Sequence, residues 1–262
     1  MLAGVNGNSL HSNILHADSA ISKSLERISS GKKINQASDN PVGSAMLSAF
    51  DSQTRALTQL MSNQQSQASL LQTASSSLTT TSNILQGINS LALQASNGTL
   101  TESDRAMIQQ QINQLSTQIN MSANQTQYNG QNLLDGSFST TLQNGEQFAI
   151  DAMTANALGV GNLSVATQSD AMSASELAKS ALSKVVSTQS SLGSAINGIN
   201  SNIANLGTQY LNAVSAQSQI GDVDMANEIM NLTLSKMQSQ ASLKVFKMNE
   251  ETRSTALKLL SE

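Results

Sequence analysis

Two heptad seams constrain this chain more than any other feature. One begins at Leu182 and runs through Val185, Gln189, Leu192, Ile196, Ile199, Ile203, Leu206, Tyr210, Ala213, Gln217 and Ile220. The other runs through Leu57, Met61, Gln64, Ala68, Leu71, Ser75, Leu78, Ser82, Leu85, Asn89 and Ala92. In both, the spacing alternates between four and three residues without a break. A strict 3.5-residue repeat makes helices supercoil against other helices. Two such seams, separated by a turn-rich middle, predict that the chain folds back on itself. The expected fold is mainly α: a long antiparallel coiled-coil-like helical rod, with the N- and C-terminal helices paired.

Composition supports a thin core. Of the 262 residues, 2% are aromatic and none is Trp, whereas thick globular cores lean on aromatics. Only 11% are charged, so the surface repels itself weakly, which suits a subunit packed among copies of itself. A net charge of −4 argues against nucleic acid as a partner, which calls for a basic stripe. With no Cys there are neither disulfides nor thiolate metal sites. The opening MLAGVNGNSLHSN has no basic and apolar regions of a cleavable secretory signal. No apolar run reaches the length of a membrane span, so no membrane partner is expected.

Punctuation residues divide the chain. Leu10, Ile14, Ala17, Ile21, Ser24 and Ile28 carry the four-three spacing into a first helix, which Gly31 ends. Asp39 or Asn40 can cap a second helix, with Pro41 in its first position. That helix runs to about Ser96. Thr101 and Asp104 have capping-box spacing for a third, with Ile108, Ile112, Leu115 and Ile119 on one face, ending near Gln127 before a break at Tyr128-Asn129-Gly130. Residues 138–150 read as a β-hairpin around Asn144-Gly145, and 157–160 and 163–165 as short extra strands. A long helix opens at Ser175-Glu176 and reaches about Ile220 despite Gly193, Gly198 and Gly207. A second joint at Gly221-Asp222-Val223-Asp224 precedes an amphipathic segment with Met225, Ile229, Leu232, Leu243 and Phe246.

These joints delimit an inner domain of residues 1–42 and 223–262, and a body of residues 43–222 with the hairpin region at about 138–165. Self-association is expected through Leu10, Ile14, Ile21 and Ile28 facing Ile229, Leu232, Leu243 and Phe246, within and between copies. Leu257 and Leu260 continue the apolar set.

Chemistry-bearing patterns are sparse. His11 and His16 lie five residues apart on a helix, on different faces, which disfavours a shared metal. Asp222, Asp224 and Glu228 cluster, but acids that open a helix favour its dipole, and an EF-hand loop needs more ligands and a central Gly. There is no nucleophile elbow, GxGxxG or P-loop. Matches to the glycosylation sequon at Asn97, Asn124, Asn162 and Asn231 are expected by chance in a chain this rich in Asn, Ser and Thr. No catalytic, cofactor or metal site is expected.

Four segments point to a family. Residues 25–43 (LERISSGKKINQASDNPVG), 85–99 (LQGINSLALQASNGT), 128–137 (YNGQNLLDGS) and 218–228 (SQIGDVDMANE) resemble the ordered signature blocks of bacterial flagellins. The resemblance covers nearly the whole chain. Only about 30 residues separate the two matching halves, so the chain resembles a minimal, core-only flagellin without large outer domains. The resemblance implies a non-enzymatic structural subunit that polymerises into the flagellar filament for motility. It implies secretion through the flagellar export apparatus, and an export chaperone, filament cap and junction proteins as partners. A hook–filament junction protein and a generic coiled-coil adaptor are the alternatives. In flagellins recognised by the innate-immune receptor, the block matching Leu85, Gly87 and Leu91 carries Arg at the position of Gly87, and Glu at that of Gln111. The resemblance thus implies poor recognition of this chain.

Overall fold

A computed structural model describes the backbone of residues 7–141, 145 and 147–261, and their side chains except those of 7, 8, 257 and 259–261. Asn144 of the expected turn lies outside the described residues. In chain order the elements are α1 (Gly7–Ser30), α2 (Pro41–Ala95), α3 (Glu102–Gln125), β1 (Gln127–Tyr128), β2 (Gln131–Asn132), β3 (Ser139–Thr141), β4 (Gln147–Ala149), α4 (Gln168–Gly221) and α5 (Met225–Ser261). The chain forms two compact units. One joins Met1–Thr58 with Thr208–Glu262, and the other is Gln59–Gly207.

In the central unit, α2 and α4 run antiparallel. Ser175 Oγ donates to Asn89 Oδ1 at 2.7 Å, and Gln189 Nε2 donates to Thr79 Oγ1 at 3.2 Å. Asn89 and Gln189 are seam positions. Every position of the two heptad seams is buried or half-buried, as a four-three repeat requires of helices packed side by side. Leu71, Leu78, Leu85 and Ala92 of α2 join Val185, Leu192 and Ile199 of α4 in one apolar core. The third helix adds Ile108, Ile112 and Ile119. It opens with the capping box read from the sequence: Asp104 N donates to Thr101 Oγ1, and the Asp104 carboxylate accepts from Thr101 N. The Thr101 hydroxyl, then its backbone N–H, hold the Asp104 carboxyl below the usual range.

Two hairpins follow. Asn129 and Gly130, expected only as a break, form the two-residue turn of the first, with Tyr128 opposite Gln131. Both turn residues have positive φ, 50° and 78°, which suits Asn-Gly. The second pairs Ser139–Thr141 with Gln147–Ala149, within the hairpin expected over 138–150. The short strands expected at 157–160 and 163–165 are absent, and those residues form turns and extended loop. Their backbone groups find partners on α3 side chains instead of on another strand. Gln109 donates to Leu163 O and accepts from Val165 N, both at 2.8 Å, and Ser116 donates to Val160 O at 3.0 Å. Asn120 accepts from Ala155 N at 2.9 Å. A loop clamped in this way needs no ladder.

The fourth helix begins at Gln168, earlier than the expected Ser175. Thr167 and Asp170 supply the start: Thr167 N donates to the Asp170 carboxylate at 3.2 Å, and Asp170 N to Thr167 Oγ1 at 3.1 Å.

Candidate self-association surface

The two joints of the chain meet in the terminal unit. Lys33 N donates to Gly221 O at 2.6 Å, and Val223 N donates to Gly31 O at 3.1 Å. Gly31 holds φ at +69°, a conformation that glycine adopts without strain. Gly221 lies against α2: a Cβ there would come within 2.9 Å of Leu47 Cδ2. On one side of this clasp Asn40 caps α2, accepting from Gly43 N at 2.9 Å. On the other, Asp224 caps α5, accepting from Ala226 N and Asn227 N at 3.0 and 3.2 Å. The Asn227 backbone N–H, then its side chain, hold the Asp224 carboxyl below the usual range. Asp224 thus takes the capping role expected of acids at a helix start.

From the clasp, α1 and α5 run antiparallel. Arg27 reaches Glu228 at 3.8 Å near the joints, and Ser239 Oγ donates to Asp18 Oδ1 at 3.1 Å further along. Leu10, Ala17 and Ser24 of α1 are buried, and Ile14, Ile21 and Ile28 are half-buried. On α5 the inward residues are Glu228, Leu232, Ser235, Ser239, Ser242, Phe246 and Asn249, again in four-three spacing. Small side chains let the backbones approach, and Cα atoms of α1 and α5 come within 8 Å of each other.

Of the residues expected to carry self-association, Leu10, Ile14, Ile21 and Ile28 thus take the face of α1 opposed to α5. Leu232 and Phe246 lie on the inward face of α5. Ile229 and Leu243 lie outside it, 50% and 43% exposed. The side chains of Leu257 and Leu260 are outside the described residues. Sequence reading passed over the polar inward positions Ser235, Ser239 and Ser242, and the exposed Leu15, Leu25 and Leu234. The four-three spacing of the serines was the available signal.

In the central unit, Leu85, expected in the immune-receptor-like block, is wholly buried. Leu91 is half-buried and Gln111 exposed. A Cβ at Gly87 would lie 3.5 Å from Leu115 Cδ1, one helical turn from Gln111. Gly87 therefore sits against the same stretch of α3 that carries Gln111. Both His11 and His16 are exposed, and among the described residues no cluster of His, Cys, Asp or Glu is placed to hold a metal ion.

Comparison with known proteins accords with this architecture. The family model for the bacterial flagellin N-terminal helical region matches residues 4–139, and that for the C-terminal helical region matches residues 175–260. The chain is 30% identical to the flagellar filament 31.3 kDa core protein of Treponema maltophilum, over 92% of each chain. It is 32% identical to a flagellin of Halalkalibacterium halodurans, over 91% of each. The crystal structure of Bacillus cereus flagellin is similar at a TM-score of 0.50 and 27% identity, covering 60% of this chain and 94% of that one. These matches do not favour the junction-protein or adaptor alternatives. The two matched regions flank a segment of only 35 residues (140–174) that neither model covers. The chain belongs to the bacterial flagellin family, as a core-only flagellin and a structural subunit of the flagellar filament.

Proposed function

We propose that the subunit polymerises through its paired ends, with residues 1–42 and 223–262 as the inner, filament-core domain and 43–222 as the outer rod domain. One observation carries this reading. The terminal pair buries one face of each helix and leaves large apolar side chains on the others. Leu15 and Leu25 of α1 and Ile229, Leu234 and Leu243 of α5 are all 43% exposed or more. Burying such a side chain contributes about 1.5–3 kcal/mol, so contacts with neighbouring copies are the natural use of this surface. Leu10, Ile14, Ile21, Ile28, Leu232 and Phe246 hold α1 to α5, while Ile229 and Leu243 reach between copies.

The subunit leaves the cell through the flagellar export apparatus, aided by an export chaperone, and meets the cap and junction proteins at the filament ends. No helix among the described residues is long and apolar enough to cross a membrane. The surface around Gly87 and Gln111 is a weak ligand for the innate-immune flagellin receptor, because it lacks two charged anchors.

Removing residues 223–262 tests the core of the proposal. The truncated chain keeps the helical circular dichroism of its central unit and forms no filaments when seeded, as judged by negative-stain microscopy. Filaments of normal length from that truncation would show that the terminal pair is not the polymerisation surface.

A further inference from the structure

The exposed apolar residues of α5 are not a random set. Met230, Met237 and Met248 are 61%, 56% and 61% exposed. At 3.6 residues per turn their spacings of 7 and 11 place them within about 20° of one line along the helix. Leu234 and Val245, 60% and 45% exposed, lie beside that line. The inward residues Glu228 and Ser239 lie nearly half a turn away, where they meet Arg27 and Asp18. The outer face of α5 is therefore a methionine stripe without a partner among the described residues.

The rest of the chain gives that stripe chemical meaning. There is no Cys and no Trp, so the methionine thioethers are the most readily oxidised side chains present. Oxidation to the sulfoxide turns a flexible apolar side chain into a polar one and disrupts methionine-rich contacts.

We propose that Met230, Met237 and Met248 are an oxidation site at which a peroxide-class oxidant controls assembly. The proposal rests on the reading that the outer face of α5 is covered by a second copy in the filament. In each event the peroxide O–O bond breaks and one oxygen transfers to the thioether sulfur. The sulfur loses two electrons, the peroxide is reduced, and water leaves. The product carries a strong hydrogen-bond acceptor on a face that a neighbour must desolvate. Subunits oxidised before assembly fail to add to the filament. In assembled subunits the same thioethers are shielded. Reductive repair of the sulfoxide restores competence.

The test treats the full chain with hydrogen peroxide and locates added oxygen by peptide mass spectrometry. Seeded polymerisation is followed by sedimentation. Met230, Met237 and Met248 take up oxygen well before Met153, which is 3% exposed. The oxidised protein keeps its helical circular dichroism, but its critical concentration rises at least about tenfold, and methionine sulfoxide reductase reverses the rise. Met46, Met107, Met121, Met172 and Met225 are also exposed, so the variant Met230→Leu, Met237→Leu, Met248→Leu separates their contribution: whatever its own critical concentration, peroxide does not change it.

Oxidised wild type that assembles like untreated protein overturns the proposal, as does a peroxide-sensitive triple variant. Should the triple variant not polymerise, failure of the reductase to restore oxidised wild type overturns it equally. If untreated wild type does not add to seeds, the filament reading fails and the assembly role falls with it, while the order of oxygen uptake separately reports the site.

Discussion

The terminal and central units use one period with different chemistry. In the central unit the seam is Leu71, Leu78 and Leu85 against Val185, Leu192 and Ile199, all of them 3% exposed or less. In the terminal unit the opposed faces interleave Leu10, Ile14, Ile21 and Ile28 with Ala17 and Ser24 on α1, and Leu232 and Phe246 with Ser235, Ser239 and Ser242 on α5, and most of these are only half-buried. A large apolar seam removes much surface from water within one chain and sustains its own fold. A seam diluted with Ala and Ser brings backbones close but gains less, because small side chains bury little area. The terminal unit also keeps a buried carboxylate, Glu228, with Arg27 as its cation. The difference teaches which unit is complete by itself. The central unit has its core inside, whereas the terminal pair leaves several large apolar side chains outside for neighbouring copies.

The most severe way to break this comparison is in the central seam. Ile199, 3% exposed, packs in the common core. Ile199→Asp places a charge there without a partner, and the central unit should lose about 3–5 kcal/mol. Thermal denaturation followed by circular dichroism checks this, and an unchanged melting curve would mean that the seam does not carry the unit.

The outer surface of the central unit offers a second, functional test. Gly87→Arg with Gln111→Glu adds two charged groups on the stretch shared by α2 and α3. An Arg offers charge-assisted bidentate bonds that Gly cannot, and Glu is a stronger acceptor than Gln. A tenfold gain in receptor response corresponds to ~1.4 kcal/mol, and the double variant should reach at least that in a reporter-cell dose curve. A wild-type response already equal to that of an Arg- and Glu-bearing flagellin counts against the proposal.

Within the terminal pair, Arg27→Ala strips a buried carboxylate of its cation. Because the Arg27 side chain is itself 32% exposed, solvent softens the loss to about 1–2 kcal/mol. Limited proteolysis should cut α1 and α5 sooner while leaving the central fragment intact. Equal acceleration in both units would show that the two are not energetically distinct.

The smallest expected effect is stabilising. Gly198 is exposed inside α4, and a Cβ there meets nothing within 4 Å. Gly198→Ala should raise the stability of the central unit by about 1 kcal/mol through helix propensity. A polymerisation defect in this better-folded variant would reveal that a neighbouring copy needs the glycine.

By itself, the sequence determined whatever depends on local order. The two long seams, the Thr101–Asp104 box, the start of α2 at Pro41 and the pairing of Ser139–Thr141 with Gln147–Ala149 were legible because period, caps and turns act over a few residues. The meeting of the joints at Gly31 and Gly221 was visible only as a symmetry of punctuation. Tertiary structure decided the rest. Residues 157–165 carry strand-like side chains, yet their hydrogen bonds go to Gln109 and Ser116, 44–56 residues away. No local pattern encodes that choice. Likewise, the α5 sequence offers apolar residues around much of its circumference. Which of them turned inward was settled by α1, whose face pairs Asp18 with Ser239 and Arg27 with Glu228 and leaves Ile229, Leu243 and the methionine stripe outside. A helix face is buried only when a partner of matching shape covers it, and that partner lies more than 200 residues earlier in the chain.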